Sequence, residues 1–112
     1  TPTVRAMASK CSTAFVDQIG SDNLSFIDQI DPAAMNSLAD VDQSGENNLS
    51  EITQSGGTTN TAMVDQSGND NDSFITQTGS NNTADVTQSS NGNMSTVNQN
   101  GIGNTATVTQ GL

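Results

Sequence analysis

Every glutamine in this chain falls at the same phase of one repeat. The nine are Gln18, Gln29, Gln43, Gln54, Gln66, Gln77, Gln88, Gln99 and Gln110. Six of the eight steps between them are eleven long, one is fourteen and one is twelve. A period held over nearly the whole chain marks an architecture of stacked copies of one small unit, because a unit this short cannot bury its apolar face alone.

Other positions keep step with the glutamines. Two residues earlier stand Val16, Ile27, Val41, Ile52, Val64, Ile75, Val86, Val97 and Val108. Four earlier, Ala and Ser alternate without a break: Ala14, Ser25, Ala39, Ser50, Ala62, Ser73, Ala84, Ser95 and Ala106. Six earlier stand Asn23, Asn48, Asn60, Asn71, Asn82, Asn93 and Asn104, with Ser12 and Ser37 in the other two units. Two after the glutamine, Gly recurs at Gly20, Gly45, Gly56, Gly68, Gly79 and Gly101. The unit reads N-x-[AS]-x-[VI]-x-Q-x-G.

An 11-residue period also suits a right-handed coiled coil. The unit rejects it, since Gly and Asn are poor inside helices and β-branched residues favour strands. Its fixed positions are spaced by two, the strand period. Each unit is therefore expected to be a strand of about six residues followed by a polar turn. The Ala/Ser alternation makes the true repeat two strands long, with Ala–Val units in one column and Ser–Ile units in another. The expected fold is all-β: a β-solenoid of strand-turn-strand rungs, in two facing parallel sheets with the cross-β arrangement along the axis. Residues 12–112 supply nine strand units, or about four and a half rungs. Residues 1–11 lack the motif, but Val4, Ala6 and Ala8 alternate, and this segment is expected to serve as a strand at the junction between subunits. The three extra residues around Asp31-Pro32-Ala33-Ala34-Met35, and the insertion at Gly57, are expected to lie in turns.

The inward face would then hold the Asn, Ala/Ser, Val/Ile and Gln positions. Facing sheets lie about 10 Å apart, so small residues suit the interior. Buried amides are costly unless bonded. On identical neighbours, each Asn or Gln amide can donate to the next along the axis, and both columns are expected to form such ladders. The carboxylates Asp17, Asp42 and Asp65 would stack outward and repel one another, favouring assembly at low pH.

Composition narrows the function. Leu, Ile, Val and Phe together make up less than a fifth of the chain and the net charge is −10, a profile that without the repeat would suggest disorder. Arg5 and Lys10 are the only basic residues, so nucleic acid is not an expected partner. No apolar run is long enough for a membrane span, and membrane insertion is not expected. The lone Cys11 offers no internal disulfide. With no His, and carboxylates that merely follow the repeat, nothing gathers into a catalytic or metal-binding group, and neither enzyme activity nor a cofactor is expected.

The unit resembles the curlin repeat of bacterial curli subunits, over about residues 12 to 112. The resemblance implies a secreted, extracellular subunit that polymerises head to tail into a functional amyloid fibre at the cell surface or in the biofilm matrix. It implies roles in adhesion and surface colonisation, with a nucleator subunit and a secretion apparatus as partners. This chain departs from the best-known major subunit in lacking Tyr and His and in placing Asn before both strand types; its last repeat is not basic, unlike a membrane-tethered nucleator. The competing reading is an ice-binding or adhesin-type solenoid. Thr61, Thr83 and Thr105 share a column that suits ice, but Met63, Asp65 and Asp85 interrupt the grid.

Overall fold

In the computed structural model, which describes residues 2–8, 11–30 and 36–111, the alternation of inward and outward positions is realised as ten strands. They are β1 (Thr3–Met7), β2 (Thr13–Ser21), β3 (Leu24–Ile30), β4 (Leu38–Glu46), β5 (Leu49–Ser55), β6 (Thr61–Asn69), β7 (Asp72–Ser80), β8 (Thr83–Ser89), β9 (Met94–Ile102) and β10 (Thr105–Gln110). Gly57 lies in the bend that follows β5, whereas the expected long turn at residues 31–35 lies outside the described residues. The nine repeat units form β2 to β10, and β1 stands before them.

Odd-numbered strands form one parallel sheet in the order β1-β3-β5-β7-β9, and even-numbered strands form the other, β2-β4-β6-β8-β10. The chain is a β-solenoid, and successive strands alternate between its two sheets. Its smallest extent, 13 Å between extreme Cα positions, is what two sheets about 10 Å apart require. The Ala/Ser alternation thus separates the sheets: beside β1, the Ser units (with Ile27, Ile52, Ile75 and finally Val97) build the first, and the Ala–Val units build the second.

Register is set by the repeat itself. Ala39 pairs with Ala62, Val41 with Val64 and Gln43 with Gln66 between β4 and β6. Ser50, Ile52 and Gln54 meet Ser73, Ile75 and Gln77 between β5 and β7 in the same way. A slip of one residue would turn every buried side chain to solvent. The core is therefore a single column, with Ile27, Val41, Ile52, Ile75 and Val86 at most 1% exposed and Ala39, Ala62 and Ala84 filling the thin spaces between.

Strands run longer than the expected six residues wherever they carry the chain through the glycine. In β2, β4, β6, β7 and β9 the strand continues through Gly20, Gly45, Gly68, Gly79 and Gly101, all at positive φ. A Cβ on Gly45 would sit 2.0 Å from the carbonyl oxygen of Gly68 in the next rung, and one on Gly20 equally close to that of Gly45. Glycine is required here by the close approach of backbone to backbone.

One position escaped the sequence reading. The residue just before each Asn or Ser of the unit is left-handed in all nine units: Cys11, Asp22, Asn36, Asn47, Thr59, Asp70, Asn81, Gly92 and Gly103, with φ between 56° and 73°. Asn, Asp and Gly tolerate this region best, and seven units show them there as a visible signal, as in Asp22-Asn23 or Gly103-Asn104. A β-branched residue such as Thr59 is a strained choice.

Candidate functional site: the amide ladders and the open edges

Two unbroken rows of glutamine run along the interior. In the second sheet Gln18 donates through Nε2 to Oε1 of Gln43 at 2.6 Å, Gln43 to Gln66 at 2.7 Å, Gln66 to Gln88 at 2.8 Å and Gln88 to Gln110 at 2.8 Å. In the first sheet Gln29 donates to Gln54, Gln54 to Gln77 and Gln77 to Gln99, at 2.8–2.9 Å. Every donor points toward the β9/β10 end.

The second amide hydrogen crosses between sheets. Gln54 donates to the carbonyl of Leu38, Gln77 to that of Thr61, Gln88 to that of Asp72 and Gln99 to that of Thr83, all at 2.8–2.9 Å. One side chain thus serves the stack and also ties the two sheets together. An aliphatic residue of similar size would serve neither, which explains why glutamine recurs in every unit of a buried column.

The asparagine column behaves differently from the expected ladder of side-chain amides. Among the described residues only Asn48 and Asn104 donate to another Asn, at 3.2 Å to Asn23 and 3.1 Å to Asn82. Most asparagine bonds go to backbone. Asn23 Oδ1 accepts the main-chain N–H of Asn48, Asn48 Oδ1 that of Asn71 and Asn82 Oδ1 that of Asn104. The Nδ2 groups of Asn48 and Asn60 reach back four residues to the carbonyls of Ser44 and Gly56. The same groups reach across the rung to the carbonyls of Gly68 and Gly79, at 2.9 and 2.7 Å. The shorter side chain sits beside the turn, where main-chain groups are within reach and the next amide mostly is not. The Gly68 carbonyl is also the one that presses on Gly45 of the preceding rung, so the glycine and asparagine positions serve one arrangement.

Outward columns follow the same register. Asp17, Asp42 and Asp65 stack directly, and Asp40, Asp42, Met63, Asp65 and Asp85 line a shallow depression on the second sheet. Partial desolvation, with Asp42 and then Asp85 beside it, pushes the Asp65 carboxyl above its ordinary value of 3.8. Among the described residues no group of three or more His, Cys, Asp or Glu is arranged to hold a metal ion. Phe15 is 57% exposed on the second sheet, whereas Phe26 and Phe74 lie half-buried in a column of the first, so the three form no common patch. Cys11 is exposed and unpaired with another cysteine.

The two ends of the stack are sheet edges. Strands β1 and β2 form one edge and β9 and β10 the other, each pairing on one side only. Such edges carry unpaired backbone donors and acceptors.

A family model described as the curlin associated repeat matches the chain three times, over residues 34–57, 51–79 and 79–111. No curated protein and no solved structure matches it.

Proposed function

The chain belongs to the curlin associated repeat family, and from that premise we propose that it is a structural subunit of an extracellular, curli-like functional amyloid. Copies stack head to tail, the β9/β10 edge of one on the β1/β2 edge of the next. The observation that carries this reading is the pair of open edges joined by amide rows of uniform direction. A glutamine row whose donors all point one way ends in a donor and begins in an acceptor, so the two ends of the row are complementary and neither is complementary to itself. Such a contact is heterologous and does not close into a ring, so repetition makes a filament.

Around the filament the reading places secretion, growth at the cell surface, a nucleator subunit, and a contribution to biofilm matrix and adhesion. No enzymatic step is invoked; the family and the fold are structural ones. An ice-binding role is disfavoured by the outward columns, where Leu38 stands among the threonines and carboxylates and Met63 fill the neighbouring column.

The test is direct. The purified chain, incubated at micromolar concentration, is expected to form filaments whose diffraction shows a spacing of about 4.8 Å along the axis. A chain that stays monomeric and β-rich under all conditions refutes the reading. Immunogold labelling of intact producing cells then checks the location.

A further inference from the structure

Nine repeat strands are an odd number, and a two-sheet stack cannot be continued by an odd number without a consequence. Strands β2 to β10 place five in the second sheet and four in the first. If β10 of one copy stacks on β2 of the next, the first sheet lacks one strand between β9 and β3. We propose that β1 is the strand that fills this position, so that it belongs to the filament core although it carries no repeat motif. The inference rests on the reading of the chain as a filament subunit and specifies the joint.

The ends of the molecule are stepped in the manner this requires. At one end Ser95, Val97 and Gln99 of β9 are already buried, at 4–6% exposure, while Ala106, Val108 and Gln110 of β10 are only half-covered. Strand β10 therefore overhangs in the second sheet. At the other end Ala14, Val16 and Gln18 are half-covered and β1 is exposed throughout, with Val4 at 50%. There β1 overhangs, in the first sheet. Each overhang faces the other copy's recess: β10 lands on β2, and β1 lands on β9.

Strand β1 is held in the register of a repeat strand. Thr3 pairs with Leu24, Val4 with Ser25 and Ala6 with Ile27. The Thr3 N–H donates to the Asn23 carbonyl at 2.8 Å, the same link that Leu24 makes to Asn48 and Leu49 to Asn71. Arg5 ion-pairs with Asp28 at 2.8 Å, with its guanidinium carbon 5.5 Å from the centre of the Phe26 ring. The chain's one described cation thus pins a strand that has no motif.

At the β1/β2 end each sheet holds a glutamine oxygen without a partner. Among the described residues, the buried side-chain oxygens without a partner are Gln18 Oε1, Ser25 Oγ, Asp28 Oδ1, Gln29 Oε1 and Ser50 Oγ. In the second sheet Gln18 Oε1 begins the row, and Gln110 ends it with one Nε2 hydrogen given to the Met94 carbonyl. Interior glutamines use both hydrogens, so the second hydrogen of Gln110 matches Gln18 Oε1 of the next copy, and that row runs on from subunit to subunit. In the first sheet, continuing the β1 register by one residue sets Ala8 opposite Gln29. Alanine offers no amide, which leaves Gln29 Oε1 unpaired. The joint is therefore unequal: one glutamine row continuous, the other broken once per subunit.

The alternative omits β1. The next copy must then turn by half a revolution so that its β2 takes the place above β9, mixing the Ala–Val and Ser–Ile columns at every joint. The two arrangements differ in rise: five rungs, about 24 Å, with β1, against four and a half, about 22 Å, without it. Helical reconstruction of filaments of the full chain by cryo-electron microscopy separates them. The five-rung rise with no half-turn, and density for β1 between β9 and β3, is the expected result. The shorter rise with a half-turn, or β1 outside the core, overturns the proposal and leaves the filament reading intact. Failure to form filaments at all overturns both. As a second measurement, Ala8→Gln restores the missing amide and is expected to lower the critical concentration for growth by about tenfold. An unchanged critical concentration also overturns the proposal.

Discussion

Replacing Gln66 by leucine tests whether the buried amides are held by hydrogen bonding or merely by shape. Gln66 is 0% exposed; it accepts from Gln43 at 2.7 Å and donates to Gln88 at 2.8 Å. Leucine fills a similar volume but leaves one Gln43 hydrogen and Gln88 Oε1 unpaired in a dry column. Each orphaned group costs about 1–3 kcal/mol. Burying the leucine returns about 2 kcal/mol. The net loss is about 2 kcal/mol, which moves the urea midpoint of the monomeric solenoid down by about 1 M, read by far-UV circular dichroism. Gln110→Leu is the control. It takes away only the acceptor of one Gln88 Nε2 hydrogen and lies on the half-covered end strand beside solvent, so its cost in the monomer is under about 1 kcal/mol. If Gln66→Leu leaves the midpoint unchanged or raises it, or if the two variants cost the same, the polar-satisfaction argument is wrong.

Gly45→Ala is expected to disrupt the β4–β6 pairing, since its Cβ would lie 2.0 Å from the Gly68 carbonyl, whereas Gly92→Ala, with nothing within 4 Å, is expected to cost only about 1 kcal/mol for its left-handed backbone; thermal unfolding of the two variants should differ several-fold in effect. Thr59→Asn, at φ 61°, is expected to stabilise by about 0.5–1 kcal/mol, and a lower melting temperature would contradict the strain assigned there. For Asp65, whose carboxyl titrates above its unfolded value of 3.8, the solenoid disfavours the charged form. Stability associated with this group is complete below that value and is lost as pH rises through the raised one. Asp65→Asn is therefore expected to stabilise at pH 7, to make no difference in acid, and to weaken the acceleration of assembly at low pH; equal pH profiles for variant and wild type would contradict this.

Much of this architecture is legible from spacing alone. The two-residue interval between fixed positions gives the strand, and the unbroken Ala14, Ser25, Ala39, Ser50 alternation gives two sheets and their membership, because the inward side chains of the repeat units stack like on like. What spacing does not convey is the partner of each amide. Gln43 and Asn48 carry the same functional group, yet one bonds along its column and the other mostly to main chain, a difference set by one methylene and by distance from the turn. The left-handed position before each asparagine was visible as a run of Asp, Asn and Gly, but Cys11 and Thr59 obscure it. The alternation of Val4, Ala6 and Ala8 marks strand β1 in the sequence, and its register is set by what lies beneath it: Val4 pairs with Ser25 and Ala6 with Ile27.

The amide rows also settle how the solenoid bears load. Main-chain pairing and glutamine rows alike lie along the stacking direction, so a pull along that axis loads them in parallel, and no bond yields until its neighbours in the same rung are equally strained. Inside the chain every rung is also tethered to the next by peptide, so a rung that parts lengthens the molecule without severing it. An end-to-end contact between two copies has no such tether. Under tension a stack of these solenoids would part between chains, leaving shorter pieces whose fresh ends are the same two edges described above.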